Sequence, residues 1–466
     1  MALQILPLLF GAVTPDAKVN IVVLVLIQTG LIIALSRAIG LLFRAMRQPL
    51  VMGEIVAGIM LGPSLFGVLA PGLFQQVFPQ ETAPYMNILA QVGLIFFMFL
   101  VGLELNRKIL RGKGHAAILV SHSSIILPFA LGVLLAFYLY GTVSNTDVPF
   151  TSFALFMGAA MSITAFPVLA RIVKEQNLQK TSLGAIAITC AAVDDVTAWC
   201  ILAFVISIVR SGGVSSAVIT TLLALAYIAF MFTIGRALFN RIADHAEKKN
   251  QGQLTQSLVA AIFIGVICSS IITEMIGVHT LFGAFIFGVV MPDRNLLRKL
   301  IARIEDFTSI FLLPIFFAYT GLRTNFNLLI APEMLVACLL VILAATLGKF
   351  GGATAAARIS GLGARDASAL GLLMNTRGLM ELIILNIGLD LKVVSPTLFA
   401  IMVIMALVTT FATSPILRLI YPRGFLIESE VDDPAAEPPA AEPLAATARE
   451  ALVLPAQMAS TSSESS

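Results

Sequence analysis

"CAAVDDVTAWC", residues 190–200, sets two carboxylates side by side in a run that is otherwise uncharged. From Ser182 to Val209, Asp194 and Asp195 are the only charged residues. A stretch of that length and apolarity reads as a membrane-spanning helix of about 42 Å at 1.5 Å per residue. Asp194 is its thirteenth residue, so the pair falls near the middle of the bilayer. Ionisable groups at that depth are costly and face a cavity or a partner. Adjacent helical positions diverge by about 100°, so the two acids can take different tasks. One can meet a buried cation of the protein. The other can face a wet cavity, where a carboxylate can hold either a proton or a hard monovalent cation.

The rest of the chain agrees with a bilayer setting. The protein has 466 residues, 58% hydrophobic and 12% charged, with a mean hydropathy of +0.97. Soluble domains carry about 25% charged residues. Thirteen apolar stretches can span: 19–36, 49–70, 85–105, 115–140, 150–173, 182–209, 214–235, 254–274, 279–292, 304–322, 333–357, 366–389 and 394–418. The ninth is short and the seventh reads as a linker helix. Basic residues alternate with these spans. The loops 37–48, 106–114, 171–181, 236–253, 293–303 and 358–365, with the segment from 418 to 423, hold 22 Lys and Arg, against 4 (Lys18, Arg210, Arg323, Lys392) on the alternate side. The positive-inside rule then predicts a multi-pass cell-membrane protein with its N-terminus outside and its C-terminus cytoplasmic. The opening "MALQILPLLFGAV" has no basic residue, which argues against a cleaved signal peptide.

Residues 1–423 form the expected membrane domain, and 424–466, acidic and rich in Ala and Pro, are expected to be a disordered cytoplasmic tail. The net charge of +3 comes without a basic arm, so no nucleic-acid partner is expected. Cys190, Cys200, Cys268 and Cys338 lie in apolar runs without a CxxC, and the four histidines are scattered. No cofactor is expected, and no metal beyond a transported monovalent cation.

An internal duplication runs through the spans. "GEIVAG" at 53–58 parallels "GAFIFG" at 283–288. "FFMFLVGLELN" at 96–106 parallels "FFAYTGLRTN" at 316–325, with Phe97, Gly102 and Asn106 on Phe316, Gly321 and Asn325. "GAAMS" at 158–162 parallels "GLLMN" at 371–375. Partners lie seven spans apart, an odd number, so the repeats (about 49–209 and 279–418, joined by the linker helix 214–235) are inverted. Inverted repeats mark secondary transporters, whose sites lie between broken helices at the midplane. The fifth and twelfth spans carry the expected breaks. "SITAFPVLAR" contains Pro167, which removes a backbone donor, with Ser162 and Thr164 able to satisfy freed groups. "MNTRGLMEL" places Asn375–Gly378 in mid-span. A kinked but ordinary helix pair is the alternative.

Few other charges lie inside spans. Lys349, in "LGKFGG", has no acid at helical spacing on its own span. It either pairs with Asp194 or Asp195 or snorkels to the surface, about 13 Å away at Arg358. Arg377 and Glu381 are four apart, the spacing of a helical ion pair, and read best as a structural pair at the break. Glu54 reads as a polar interface residue or as an acid of an entry funnel.

These stretches together resemble a known family. "GEIVAGIMLGPSLFG", "FLVGLEL", "SITAFPVLARI", "AAVDDVTAW", "LGKF" and "LLMNTRGLMELIILNIGLDL" are similar to the second large branch of the monovalent cation:proton antiporters. That branch includes bacterial sodium/proton antiporters, glutathione-gated potassium efflux proteins and plant cation/proton exchangers. The resemblance implies an all-α fold of about thirteen transmembrane helices with two discontinuous crossing helices. It implies an elevator-like core moving against a dimerisation domain, hence a homodimer, and exchange of Na⁺ or K⁺ for H⁺. Carried over by motif, Asp195 would be the ion- and proton-binding carboxylate, Asp194 the acid paired with Lys349, and Thr164 a residue of the crossing. Plant relatives commonly have Asn before the second Asp and efflux proteins have Gln. The Asp–Asp of this chain matches the pattern associated with electrogenic exchange. No gating by a soluble nucleotide-binding domain is expected. Other classes fit less well. A cation-selective channel would need a filter loop. An intramembrane aspartyl protease takes its two acids from different helices. "LGKFGG" is not a phosphate-binding loop, so neither an ATP-driven pump nor another enzyme is expected.

Overall fold

The computed structural model describes residues 20–421, apart from 47, 105–113, 146, 179–180, 212–213, 250–254, 293–299 and 302–303. The tail at 424–466 therefore lies outside the described residues, as does most of the basic loops 106–114 and 293–303. The described chain is helical throughout: α1 (Ile21–Ala45), α2 (Leu50–Leu61), α3 (Ala83–Glu104), α4 (Gly114–Val143), α5 (Phe150–Ser162), α6 (Phe166–Glu175), α7 (Ser182–Ser211), α8 (Val214–Phe230), α9 (Arg236–Lys249), α10 (Gln256–Ile276), α11 (Thr280–Val290), α12 (Leu313–Leu322), α13 (Pro332–Thr346), α14 (Gly352–Ile359), α15 (Ala364–Met374), α16 (Leu379–Asp390) and α17 (Pro396–Ile420). Among the described residues, 12 helical stretches are long and apolar enough to cross a membrane, and Thr280–Val290 is a shorter apolar helix. These are the thirteen expected spans, with the ninth short as its sequence suggested.

Local chemistry sets many of the boundaries. The Asn20 side chain accepts from the Val22 N–H at 2.9 Å and starts α1. Pro332 stands in the first turn of α13, where its missing N–H costs nothing. Gly277, at φ 98°, ends α10 in the left-handed conformation that a side chain disfavours. One boundary differs from the sequence reading. The linker helix does not stop at 235 but runs through a π-turn, Met231–Gly235, into α9 and on to Lys249. "RALFNRIADHAEKK" contains no Pro or Gly to stop it. Its basic residues mark a polar helix end rather than an irregular loop.

The duplication is visible in the packing. Gly58 of α2 sits directly against Gly321 of α12, and Gly102 of α3 against Gly288 of α11; a Cβ at any of the four would collide with facing backbone. The sequence matches place Gly58 on Gly288 and Gly102 on Gly321. Exchanging the repeats thus turns the first contact into the second. Lipid offers no hydrophobic drive for helices to associate, so such close contacts must come from small residues that let backbones meet.

Both expected breaks are present. α5 ends at Ser162 and α6 begins at Phe166, with Pro167 in its first turn. α15 ends at Met374 and α16 begins at Leu379. The two unwound segments cross, joined by the Ala165 N–H donating to the Thr376 carbonyl at 3.0 Å.

Candidate functional site

The site assembles from α7, α4, the two breaks and the segment after α13. α7 runs unbroken through Asp194 and Asp195, and both side chains are fully buried. Their surroundings are opposite. Asp194 is saturated with donors. Ser121 of α4 lies 2.5 Å from its Oδ1. Around Oδ2 are the Ser124 hydroxyl at 2.9 Å, the Thr164 hydroxyl at 2.7 Å and the Lys349 ammonium at 3.2 Å. Asp195 has none: neither carboxylate oxygen accepts a hydrogen bond from the described residues. The Phe166 backbone N–H at the head of α6 is directed at it, outside strict hydrogen-bond geometry.

Lys349 lies in a π-turn, Leu347–Gly351, between α13 and α14. Glycines make this placement possible. A Cβ on Gly348 would stand 2.7 Å from the Pro128 Cα, and one on Gly352 2.7 Å from the Ser123 carbonyl. Their absence lets the segment press onto α4. The lysine is wholly buried; it does not snorkel. Its Nζ donates to the Thr164 hydroxyl at 2.5 Å as well as to Asp194.

The second break holds its own ion pair. Arg377 Nη1 lies 3.2 Å from Glu381 Oε2, both side chains buried. The guanidinium also donates to the carbonyls of Ala160 at 3.2 Å and Met161 at 2.7 Å. Those are orphan carbonyls of the last turn of α5, the negative end of its dipole. Thr410 of α17 clamps the Arg377 backbone from both sides, accepting from its N–H at 2.9 Å and donating to its carbonyl at 2.7 Å. At the other break the Thr164 hydroxyl lies 3.2 Å from the Met374 carbonyl, at the end of α15. The third sequence match, extended by two residues, places Met161 on Met374 and Thr164 on Arg377. Equivalent residues therefore lie beside equivalent carbonyls across the crossing, although the single Thr164 proton goes to Asp194, the nearer acceptor.

The geometry brings Asp194, Thr164 and Lys349 into one contact group, with Asp195 beside it and the Arg377–Glu381 pair at the adjoining break. Asp194 with Lys349 and Glu381 with Arg377 cancel in charge, which leaves Asp195 as the surplus. Glu54 is also buried, one of its oxygens accepts no hydrogen bond from the described residues, and the positive charges acting on it belong to Arg37 and Arg171. No group of three or more His, Cys, Asp or Glu able to hold a metal ion occurs among the described residues. Ser121 and Ser124 escaped the sequence reading. Their only local signal is a pair of hydroxyls three apart in an apolar span, "SHSS". A further cluster was also missed: Arg323 Nη2 meets Asp390 at 2.6 Å and Nη1 meets Asn386 at 3.0 Å, tying the end of α12 to α16.

Comparison with known proteins points one way. The chain is 50% identical over 405 residues to the Na(+)/H(+) antiporter NhaS4 of Synechocystis sp., covering 86% of this chain and 98% of that protein. It is 41% identical over 409 residues to Cation/H(+) antiporter 20 of Arabidopsis thaliana, covering 85% of this chain and 48% of that one. To the K(+)/H(+) antiporter 1 of Saccharomyces cerevisiae it is 33% identical over 411 residues, covering 86% and 47%. The chain thus spans about half the length of the plant and yeast relatives. The solved structure of the sodium proton antiporter MjNhaP1 from Methanocaldococcus jannaschii superposes with a TM-score of 0.53 at 17% identity, covering 86% of this chain and 97% of that one, a likeness of fold. Residues 30–419 match the family model described as "Sodium/hydrogen exchanger, transmembrane". With that match over most of its length, on a fold of inverted repeats and crossed broken helices, this chain belongs to the sodium/hydrogen exchanger family.

Proposed function

We propose that this protein exchanges Na⁺ or K⁺ for protons by alternating access, with Asp195 as the carboxylate that holds either ion. The observation that carries the reading is the contrast within one dipeptide. Asp194 is fully partnered, and Asp195, equally buried, has no side-chain donor among the described residues. An isolated carboxylate in a low-dielectric interior is strongly disfavoured. It must take up a proton or a cation to become neutral. Loaded with either, the buried cluster carries no net charge; empty, it carries one negative charge, and an empty core crosses poorly. That is the condition for obligatory exchange.

Lys349 and Thr164 contact Asp194 directly and hold it in place, and the Lys349 charge also acts on Asp195. Arg377 and Glu381 secure the second break. The resemblance to relatives with an Asp–Asp pair favours electrogenic exchange, which requires a second proton to move at the Asp194–Lys349 pair for each cation taken up at Asp195. The distribution of 22 basic residues against 4 supports an N-terminus outside and a cytoplasmic C-terminus in the cell membrane. The same resemblance supports a homodimer.

The test is exchange in proteoliposomes followed with an internal pH dye, comparing Na⁺, K⁺ and Li⁺ with and without an imposed voltage. Asp195→Asn should abolish exchange in a protein that still folds. Persisting cation-driven proton flux in that variant would remove Asp195 from the mechanism. Cation current without a proton gradient would indicate a channel instead.

A further inference from the structure

Trp199 is the one tryptophan of the chain, and nothing in the site described above uses it. It lies four residues after Asp195 in the uninterrupted helix α7. Residues four apart share a face, and helical side chains lean back toward the N-terminus. The indole therefore leans over the turn that carries Asp195. It is 1% exposed, and its ring is tilted 47° against Phe282 of α11, with centroids 6.3 Å apart. Its N–H finds no acceptor among the described residues.

One helix face thus holds a buried donor without an acceptor among the described residues and, one turn away, a buried carboxylate without a side-chain donor. A buried polar group left unpaired is costly. The Cα atoms of the two residues differ by a helical rise of about 6 Å, a spacing at which one bridging water can reach both groups. The contact with Phe282 fixes the ring between α7 and α11.

We propose that the Trp199 N–H anchors a water in the shell of the cation bound at Asp195, which makes Trp199 a residue that determines which alkali cation the site prefers. The inference rests on the reading of Asp195 given above. Without a cation, the water accepts from the indole N–H and donates to the carboxylate. With a cation bound, its second lone pair faces the ion and replaces one water of the ion's own shell. Because the indole is wedged between α7 and α11, that oxygen stands at a set distance from the carboxylate. Ions whose size matches the distance are favoured over smaller or larger ones.

A sole tryptophan makes the test direct. Intrinsic fluorescence of the purified full-length protein is titrated with Li⁺, Na⁺, K⁺ and, as control, choline chloride. The transported cation should give a saturable change that choline does not, and Asp195→Asn should abolish it. Fluorescence indifferent to every alkali cation in the wild-type protein would overturn the proposal. In proteoliposomes, Trp199→Phe keeps an aromatic ring and removes the donor. It should retain exchange while shifting the ratio of apparent KM values among the three cations by about three- to tenfold. Unchanged ratios would equally overturn it. If Trp199→Phe does not fold, the wild-type titration decides alone. Continued exchange by Asp195→Asn would sink the reading of the site itself. Lost exchange in that variant, together with a silent indole in the wild type, would sink only the role of Trp199.

Discussion

The two helix breaks are related by the repeat, yet they are held by different chemistry. At one, Arg377 caps the end of α5 with its own charge, and Glu381 on the same helix balances it. At the other, the equivalent position is Thr164, an uncharged hydroxyl at the end of α15. The positive charge there comes from a different span, through Lys349. It is balanced by Asp194, also from a different span. The charge at the 375–378 break is balanced within a few residues of sequence. The charges beside the 163–165 break are assembled from α7 and the π-turn at 347–351, with hydroxyls from α4. Symmetry of the backbone therefore coexists with asymmetry of charge, and the lone carboxylate, Asp195, lies beside the break whose charges come from elsewhere. A break that carries its own ion pair suits a fixed support. One whose charges converge from several helices is able to respond when a neighbouring acid changes its occupant.

Disrupting the 375–378 break should have the largest effect. Arg377→Met leaves Glu381 buried without its cation and uncaps Ala160 and Met161, for an expected loss of about 3–5 kcal/mol in thermal or denaturant unfolding of the detergent-solubilised protein. A loss under about 1 kcal/mol would mean that the pair is not the support assigned to it. Adding Glu381→Leu should recover part of that loss, because a well-packed apolar pair can replace a buried ion pair.

Beside the 163–165 break Lys349→Met should cost less, about 2–4 kcal/mol, since three hydroxyls still donate to Asp194. Exchange should fall with it. In a double-mutant cycle with Asp194→Asn, the two losses should be strongly non-additive; simple additivity would separate the residues functionally despite their 3.2 Å contact. A smaller change, Thr164→Val, removes one hydroxyl shared among Lys349, Asp194 and Met374. About 1–2 kcal/mol and an altered apparent KM for the cation are expected. Arg323→Gln should do least to stability. Its pair with Asp390 is 20% and 45% exposed, and such pairs contribute about 0–1 kcal/mol. Unfolding measured on the same preparation ranks all four, and a reversed order would contradict the contrast between the breaks.

Much of the architecture was legible because bilayers impose simple rules. Thirteen apolar stretches, their alternation with Lys and Arg, and Asp194–Asp195 inside an uncharged run all follow from the cost of polar groups in hydrocarbon. The inverted repeat was legible because close helix contacts require glycine, and glycines such as Gly58, Gly102, Gly288 and Gly321 survive in both halves. The extent of the linker helix was not, because basic residues after 235 signal a membrane boundary without signalling the end of a helix. Ser121 and Ser124 were not legible either. A hydroxyl in an apolar span can bond to its own backbone, and nothing local says that it faces an acid 70 or 73 positions away.

The sequence by itself determined that this is a polytopic helical transporter with buried acids at mid-membrane, because hydropathy, charge placement and glycine spacing are properties of the chain read in one dimension. Which of two adjacent aspartates is tied down and which is left without a side-chain donor was decided only by tertiary structure. The donors come from α4, from the first break and from a π-turn far along the chain, and only folding places them on one side of α7.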